Sequence, residues 1–120
     1  MFDPTPAELE GLVPELQAIA FEVIAVLRNL GYPAGITVQG GRRNEAEQRK
    51  LLAAGRTRTL HSAHLEGRAF DLDLLGYSRD RVPDWFWNLV GPWVEQKFDL
   101  VWGGRWAGFR DVGHFELPPG

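Results

Sequence analysis

The 120-residue chain contains no cysteine, and this absence excludes several kinds of chemistry at once. Disulfide bonds, a thiolate nucleophile and cysteine-ligated zinc all require a sulfur atom that the sequence does not supply. A protein without thiols is compatible with reducing and with oxidising compartments. The sequence therefore leaves the redox environment open.

Two further features are missing, an excess of basic residues and a long apolar run. The formal net charge is -3 at pH 7, whereas nucleic-acid-binding domains usually carry a clear positive charge, so we expect no nucleic-acid partner. No apolar run approaches the ~18 residues of a candidate transmembrane helix. The segment MFDPTPAELE is acidic and contains proline, unlike a signal peptide. We therefore expect synthesis in a cytosol and no membrane insertion.

The chain has the composition of an ordinary globular protein, with 44% hydrophobic and 24% charged residues. Its length is sufficient for one hydrophobic core and leaves little room for a second. The sequence shows no internal repeat, low-complexity segment or linker. We therefore expect a single domain over residues 1–120.

Hydrophobic periodicity predicts helices in the first half of the chain. Apolar residues recur at three- and four-residue spacing from Leu16 to Leu30, which predicts a helix with one buried face. NEAEQRKLLAAG begins with Asn44 as an N-cap and has acids in its first turn, which predicts a second helix. VPDWFWNLVGPWVEQKF predicts a third, which we expect Gly91 and Pro92 to interrupt. We expect the tryptophans of this helix, Trp85, Trp87 and Trp93, to lie in the core.

Strands are predicted between and after these helices. GITVQG (35–40) is a short apolar run bounded by glycines, and RAFDLDLLG (68–76) alternates, which places Ala69, Asp71 and Asp73 on one face. DLVWGG (99–104) and HFEL (114–117) are the last two predicted strands. Helices that precede most of the strands indicate an α+β fold with a central antiparallel sheet flanked by helices.

The segment HSAHLEGRAFDLD (61–73) concentrates side chains that can bind a metal. Catalytic zinc takes three protein ligands, usually histidine nitrogen or carboxylate oxygen, and keeps one position open. His64 precedes a predicted strand that carries Asp71, and RDVGHFEL supplies His114 with Asp111 three residues earlier. An ion held there would polarise a carbonyl while a nearby carboxylate acts as general base. The spacing alone equally allows a capped loop followed by a solvated carboxylate.

Three sequence motifs resemble those of the M15 family of zinc peptidases. SAHLEGRAFD matches the pattern S-x-H-x-x-G-x-A-x-D at all of its fixed positions. WGGRWAGFRDVGHFE resembles a second signature, in which an acid precedes the last ligand histidine by three residues. GGRRNEAEQRKLLAAGRT resembles an upstream segment, in which an arginine lies five residues before a glutamine. The likeness extends from about residue 12 to residue 117, in the same order along the chain.

The resemblance implies a zinc site on the sheet of a small domain similar to hedgehog domains and D-Ala-D-Ala peptidases. In that arrangement His64, Asp71 and His114 would bind one Zn²⁺. Asp111 would be the general base. Arg43 would stabilise the oxyanion or hold a substrate carboxylate.

Other residues are candidates for substrate binding or for support of the ligands. Many relatives have an aromatic residue before the arginine, whereas this chain has Arg42, so Arg42 is an alternative to Arg43 although the spacing to Gln48 favours Arg43. The remaining candidates, each with a structural alternative, are His61, Ser62, Asp73, Trp102, Trp106 and Glu116.

These remaining candidates differ in the role that we expect. For His61 an exposed loop position is expected, and for Ser62 a hydrogen bond to the backbone near His64. Asp73 and Glu116 are candidates for orienting a ligand imidazole. Trp102 and Trp106 flank glycines, and we expect each of them either to fill the core or to line a substrate groove.

The resemblance implies hydrolysis of an amide bond in the stem peptide of bacterial peptidoglycan. Aspartate at position 111 and the WGGRW run are more similar to the L-alanyl-D-glutamate endopeptidases of phage endolysins than to the D-Ala-D-Ala dipeptidases. The alternatives are a D-alanyl-D-alanine carboxypeptidase or dipeptidase of the same fold, and a non-catalytic zinc module that binds wall peptides. An endolysin of this kind would be a monomer without a separate wall-binding domain. It would be made in the host cytoplasm and act on the wall after release.

Overall fold

The computed structural model describes residues 9–36, 41–55, 62–78, 81–108 and 110–119. Within these ranges the chain forms three α-helices, two short 3₁₀ segments and a four-stranded antiparallel sheet. The predicted α+β class is confirmed. None of the helices in these ranges is long and apolar enough to cross a membrane.

The helices are α1 (Pro14–Asn29), α2 (Glu45–Ala53) and α3 (Asp84–Phe98). α2 begins with a capping box, as the Asn44 side chain suggested. The Asn44 side chain accepts a hydrogen bond from the Glu47 backbone N–H at 2.8 Å, and the Glu47 side chain accepts one from the Asn44 backbone N–H at 2.9 Å. This fixed start places Gln48, one residue further on, in the protein interior.

The strands are β1 (Ala34–Ile36), β2 (Ala69–Leu74), β3 (Val101–Trp102) and β4 (His114–Glu116). They pair in the order β1-β2-β4-β3, and every pair is antiparallel. The last four residues of the predicted strand 35–40 lie outside the described residues, and residues 103–104 at the end of the predicted strand 99–104 belong instead to a 3₁₀ segment, Gly103–Arg105.

The sheet has one apolar face and one polar face. Phe70, Leu72 and Leu74 of β2 belong to the hydrophobic core with residues of α1 and α3. Phe70 stacks on Phe115 of β4 with ring centroids 5.6 Å apart. Because side chains alternate along a strand, Asp71 and His114 project from the opposite face. α1 and α3 therefore pack on the apolar face of the sheet, and the polar residues lie on the other face.

α3 continues through Gly91 and Pro92, so the predicted interruption is wrong. Proline lacks the N–H that would bond to the carbonyl four residues earlier, which weakens the helix at this point. Packing overrides this loss, because Val90 before the pair and Val94 after it are both buried in the same core. Gly91 also leaves space for the indole ring of Trp102, which a side chain at position 91 would overlap.

The tryptophans of α3 do not all lie in the core. Trp87 is fully buried and Trp93 packs against the core, as expected. Trp85 is exposed, which corrects the expectation for this residue. Helical periodicity explains the difference, since the residues that face inward are Phe86, Trp87 and Val90, and position 85 lies at the edge of that stripe.

Gly91→Ala should destabilise the protein. Removal of a glycine from a helix interior contributes about 1 kcal/mol of stability, but overpacking against the Trp102 ring costs about 1–3 kcal/mol. We expect the free energy of unfolding to fall, as measured by urea denaturation. Leu89→Ala, at an exposed position of the same helix, should change stability by less than about 0.5 kcal/mol. An unchanged or raised stability of Gly91→Ala would contradict the packing argument.

Candidate metal centre

His64 lies in a 3₁₀ segment, Ala63–Glu66, directly before β2. The Ser62 hydroxyl accepts a hydrogen bond from the His64 backbone N–H at 3.2 Å and so caps this segment, as predicted. Gly67 ends it with a left-handed φ of 69°, and a side chain there would overlap the Gly11 carbonyl. This tight turn directs the His64 side chain inward, where it is buried.

Asp71 and His114 come together through strand pairing. They are directly opposite each other in the β2–β4 register. A turn precedes β4, in which the His114 backbone N–H donates to the Asp111 carbonyl at 3.2 Å. The Leu72 backbone N–H donates to the Gly113 carbonyl at 2.7 Å, which ties the turn to β2. The sheet therefore places two of the predicted ligands as cross-strand neighbours.

The donor atoms of His64, Asp71 and His114 form a triangle. His64 Nε2 lies 3.2 Å from Asp71 Oδ1 and 3.3 Å from His114 Nδ1, and His114 Nδ1 lies 3.1 Å from Asp71 Oδ1. Tetrahedral zinc with bonds of about 2.0–2.1 Å separates its ligand atoms by about 3.3 Å. The residues present therefore fit a zinc ion, and two nitrogens with one carboxylate oxygen are a usual catalytic donor set.

When both imidazoles are neutral, each presents a lone pair to this triangle. His64 Nδ1 lies 2.8 Å from the Gly41 carbonyl, which can only accept, so Nδ1 carries the proton and Nε2 is left with the lone pair. His114 Nε2 lies 2.7 Å from Glu116 Oε1, so this nitrogen donates to the carboxylate and Nδ1 faces Asp71. In that form three electron-rich atoms converge on one point, an arrangement that a bound cation would stabilise.

The electrostatics of the centre favour positive charge. Burial opposes ionisation of Asp71, but hydrogen bonds and charge from His114 and His64 outweigh it and hold the pKa of this carboxyl well below its usual range. Burial would lower the pKa of His114, but hydrogen bonds to Asp71 and Glu116 raise it to about 9. A metal ion that binds Nδ1 of His114 would have to displace the proton that this raised pKa retains.

Arg43 is the arginine that contacts the centre. One terminal nitrogen donates to Asp71 Oδ2 at 2.8 Å, and the other donates to the Gln48 side-chain oxygen at 3.1 Å. Arg42 is exposed and its Nε donates to the Leu65 carbonyl at 3.3 Å. Arg43, which the spacing to Gln48 favoured, is therefore the one of these two arginines that contacts a predicted ligand. Its contact with the carboxylate of a predicted ligand was not foreseen.

Asp111 lies at the edge of the triangle, with Oδ2 4.0 Å from His114 Nδ1. Its side chain is 28% exposed, whereas the three predicted ligands are more deeply buried. The Asp111 backbone N–H donates to the Gly103 carbonyl at 3.0 Å. A side chain at Gly103 would crowd both Asp111 and His114. The sequence analysis did not predict that Gly103 must lack a side chain, although the two glycines of the WGG run were a signal for such a close approach.

Comparison with known families is consistent with this geometry. A model of the M15 peptidases described as D-alanyl-D-alanine carboxypeptidase matches residues 55–117, just over half of the chain. The chain belongs to the M15 peptidase family. The matched segment of this M15 peptidase contains His64, Asp71, Asp111 and His114, and it begins after Arg43 and Gln48. No curated protein matches the chain.

A solved structure extends the likeness of this M15 peptidase to nearly the whole chain. The L-Ala D-Glu endopeptidase ChiX of Serratia marcescens is 25% identical in sequence. The match covers 97% of this chain and 90% of the Serratia chain, with a TM-score of 0.66. The upstream segment with Arg43 is therefore part of the shared fold.

Trp102 and Trp106 have different environments in the structure. Trp106 is 40% exposed and its ring centroid lies 4.8 Å from that of His114, so it forms one wall of the centre. Trp102 is only 4% exposed, belongs to the core, and donates from Nε1 to the Val112 carbonyl at 2.7 Å. A groove-lining role for Trp102 is therefore wrong. Gly91 provides the space in which this ring is buried.

The remaining candidates are placed as follows. Glu116 contacts His114, as expected for a residue that orients a ligand. Asp73 faces the same side of β2 as Asp71, and its Oδ1 accepts a hydrogen bond from the Leu74 backbone N–H at 2.9 Å. His61 lies outside the described residues. Gly41 was not identified from the sequence, because its contribution is a backbone carbonyl that any residue type would supply.

Zinc binding by this M15 peptidase should release protons. With a pKa of about 9 the His114 imidazole is protonated at pH 7, and a ligand must lose its proton to bind, so affinity should rise about tenfold per pH unit from pH 7 towards 9. Calorimetric titration in buffers of different ionisation enthalpy should show release of about one proton or more per zinc. The release should decrease once the pH exceeds the pKa. Heats that do not depend on the buffer would contradict the assignment of His114.

Proposed function

We propose that this M15 peptidase is a zinc-dependent endopeptidase that cuts the stem peptide of bacterial peptidoglycan at the bond between L-alanine and D-glutamate. The observation that carries the proposal is the triangle of His64, Asp71 and His114 with Asp111 at its open edge. The similarity to an L-Ala D-Glu endopeptidase over almost the whole chain supports the choice of bond.

Asp111 is placed to move a proton. When bound, zinc would supply Lewis acidity that polarises the scissile carbonyl. Asp111 borders the donor triangle but is more exposed than the ligands, so a water molecule and a substrate amide can both reach its carboxylate. It would accept a proton from the attacking water and deliver it to the leaving amine.

Arg43 would stabilise the negative charge that develops on the substrate at the metal centre. Its contact with Asp71 Oδ2 turns Oδ1 towards the two histidines. The guanidinium remains positively charged under all relevant conditions, so it also favours the negative charge that develops on the carbonyl oxygen. Gln48 holds the other side of the guanidinium from inside the protein, which limits its movement.

The second candidate is a D-alanyl-D-alanine carboxypeptidase, which the description of the matching family model favours. A carboxypeptidase needs a cation that holds the free terminal carboxylate of its substrate. Among the described residues, Arg43 is engaged by Asp71 and Gln48, and Arg42 is engaged by the Leu65 carbonyl. The likeness to an L-Ala D-Glu endopeptidase over nearly the whole chain is therefore the observation that favours the endopeptidase.

A digest of purified peptidoglycan distinguishes the two activities. We expect the zinc-loaded protein to release peptides that begin with D-glutamate and to leave L-alanine on the glycan, as identified by mass spectrometry. Protein treated with a chelator should release neither product, and added zinc should restore release. Loss of terminal D-alanine alone would contradict the endopeptidase proposal and establish the carboxypeptidase. No cleavage by zinc-loaded protein would contradict both.

Asp111→Asn should abolish most of the activity without preventing metal binding. The amide has nearly the same shape but cannot accept the proton, and loss of general base catalysis typically lowers kcat by about 10²–10⁴-fold. Zinc affinity should remain close to that of the parent, because Asp111 is outside the donor triangle. Asp73→Asn, on the same side of β2 as Asp71, is the matched control and should keep most of the activity. Equal rates for Asp111→Asn and the parent would contradict the proposed base.

A further inference from the structure

We propose that Glu116 is a positioning residue that determines which nitrogen of His114 faces the metal centre. This inference rests on the proposed function, since it concerns a ligand of the same zinc site. It goes beyond that function because it assigns the orientation of the site to a residue outside the donor triangle.

The contact arises from the alternation of a strand. His114 and Glu116 are two residues apart in β4, so their side chains leave the same face of the sheet. Glu116 Oε1 lies 2.7 Å from His114 Nε2, a distance typical of a charge-assisted hydrogen bond. The Glu116 backbone is held on both sides, opposite Ala69 of β2 and Val101 of β3. The acceptor therefore has a fixed position relative to the ring.

Among the described residues, the other polar contacts of the His114 ring are with Asp71, His64 and Asp111; all three are on its Nδ1 side, so none holds a proton on Nε2. Trp106 packs against the ring with centroids 4.8 Å apart, and such a contact restricts the ring plane without distinguishing its two nitrogens. Asp71 Oδ1 lies 3.1 Å from Nδ1 and, in the absence of a metal ion, would accept a proton from that nitrogen. Only a second acceptor beyond the ring holds the proton on Nε2 and leaves the Nδ1 lone pair for a metal.

The two histidines differ in the acceptor that holds the proton on the nitrogen facing away from the centre. His64 donates from Nδ1 to the Gly41 backbone carbonyl, which no substitution of a side chain removes. His114 depends on a side chain that substitution can change. A carboxylate partner also raises the basicity of the imidazole more than a neutral carbonyl does. Glu116 should therefore strengthen metal binding through His114.

The test compares Glu116→Gln with Glu116→Met in the full chain. The two side chains have similar length, but only the glutamine amide oxygen can accept the Nε2 proton. Zinc affinity is measured by competition with a chromophoric chelator. We expect Glu116→Met to lose about 10–100-fold in affinity, the range typical for loss of a partner of a ligand histidine. Glu116→Gln should lose less, and Glu22→Gln, which alters an ion pair between α1 and Lys97 of α3, should lose nothing.

A second readout reports on the ring itself. In ¹⁵N-labelled zinc-loaded protein, the His114 Nε2 proton should give a downfield resonance protected from solvent exchange. The resonance should move upfield in Glu116→Gln and be lost to exchange in Glu116→Met. Should Glu116→Met not fold, Glu116→Ala is used for the same pair of measurements.

Failure of this inference is distinguishable from failure of the proposed function. A parent protein that does not bind zinc, or binds it without cutting peptidoglycan, would contradict the proposed function. A parent that binds zinc while Glu116→Met binds it equally well and keeps the protected Nε2 resonance would overturn the role of Glu116. An equal loss of affinity in Glu116→Gln and Glu116→Met would also overturn it, because the acceptor would then be irrelevant.

Discussion

The antiparallel pairing of β2 with β4 is the constraint on which the rest of the structure depends. Its register places Asp71 opposite His114 on one face and Phe70 opposite Phe115 on the other. A slip by one residue would transfer each set to the wrong face, so that carboxylate and imidazole would enter the core while two aromatic rings became exposed. The hydrophobic core therefore selects the same register that assembles the metal centre. The free energy gained by burying the core thus also brings the ligands together.

Bringing charged groups together in the centre costs free energy, since buried charged groups lose their hydration. Hydrogen bonds and charge from His114 and His64 outweigh burial and keep the pKa of the Asp71 carboxyl low, so that it stays ionised. Its second oxygen is held by Arg43, which Gln48 in turn holds from the interior. The carboxylate is thus fixed by partners on both sides. This arrangement keeps one oxygen directed at the histidines whether a proton or a metal ion supplies the positive charge.

Much of the fold and of the centre could be predicted from the sequence, because local patterns indicate the helices and strands and the sequence motifs indicate the ligands. The capping box of α2 and the alternation of β2 are examples. Interruption of α3 was predicted from the intrinsic effect of Pro92, whereas the helix is maintained by tertiary packing on either side. The burial of Trp102 depends on Gly91, which is distant in sequence, and the carbonyl of Gly41 has no side-chain signature. These features arise from contacts between segments that no local pattern describes.

The difference in exposure between the ligands and Asp111 follows from what each must do. A metal ligand functions by staying in place, and burial of His64 and His114 in hydrogen-bonded positions restricts their movement. A general base must exchange protons with water and substrate, so a fully buried carboxylate could not do this work. Asp111 meets this requirement because a turn carries it, while hydrogen bonds from that turn to Gly103 and β2 anchor its backbone. The sheet therefore supplies rigidity and the adjoining turn supplies access, within four residues of the same chain segment.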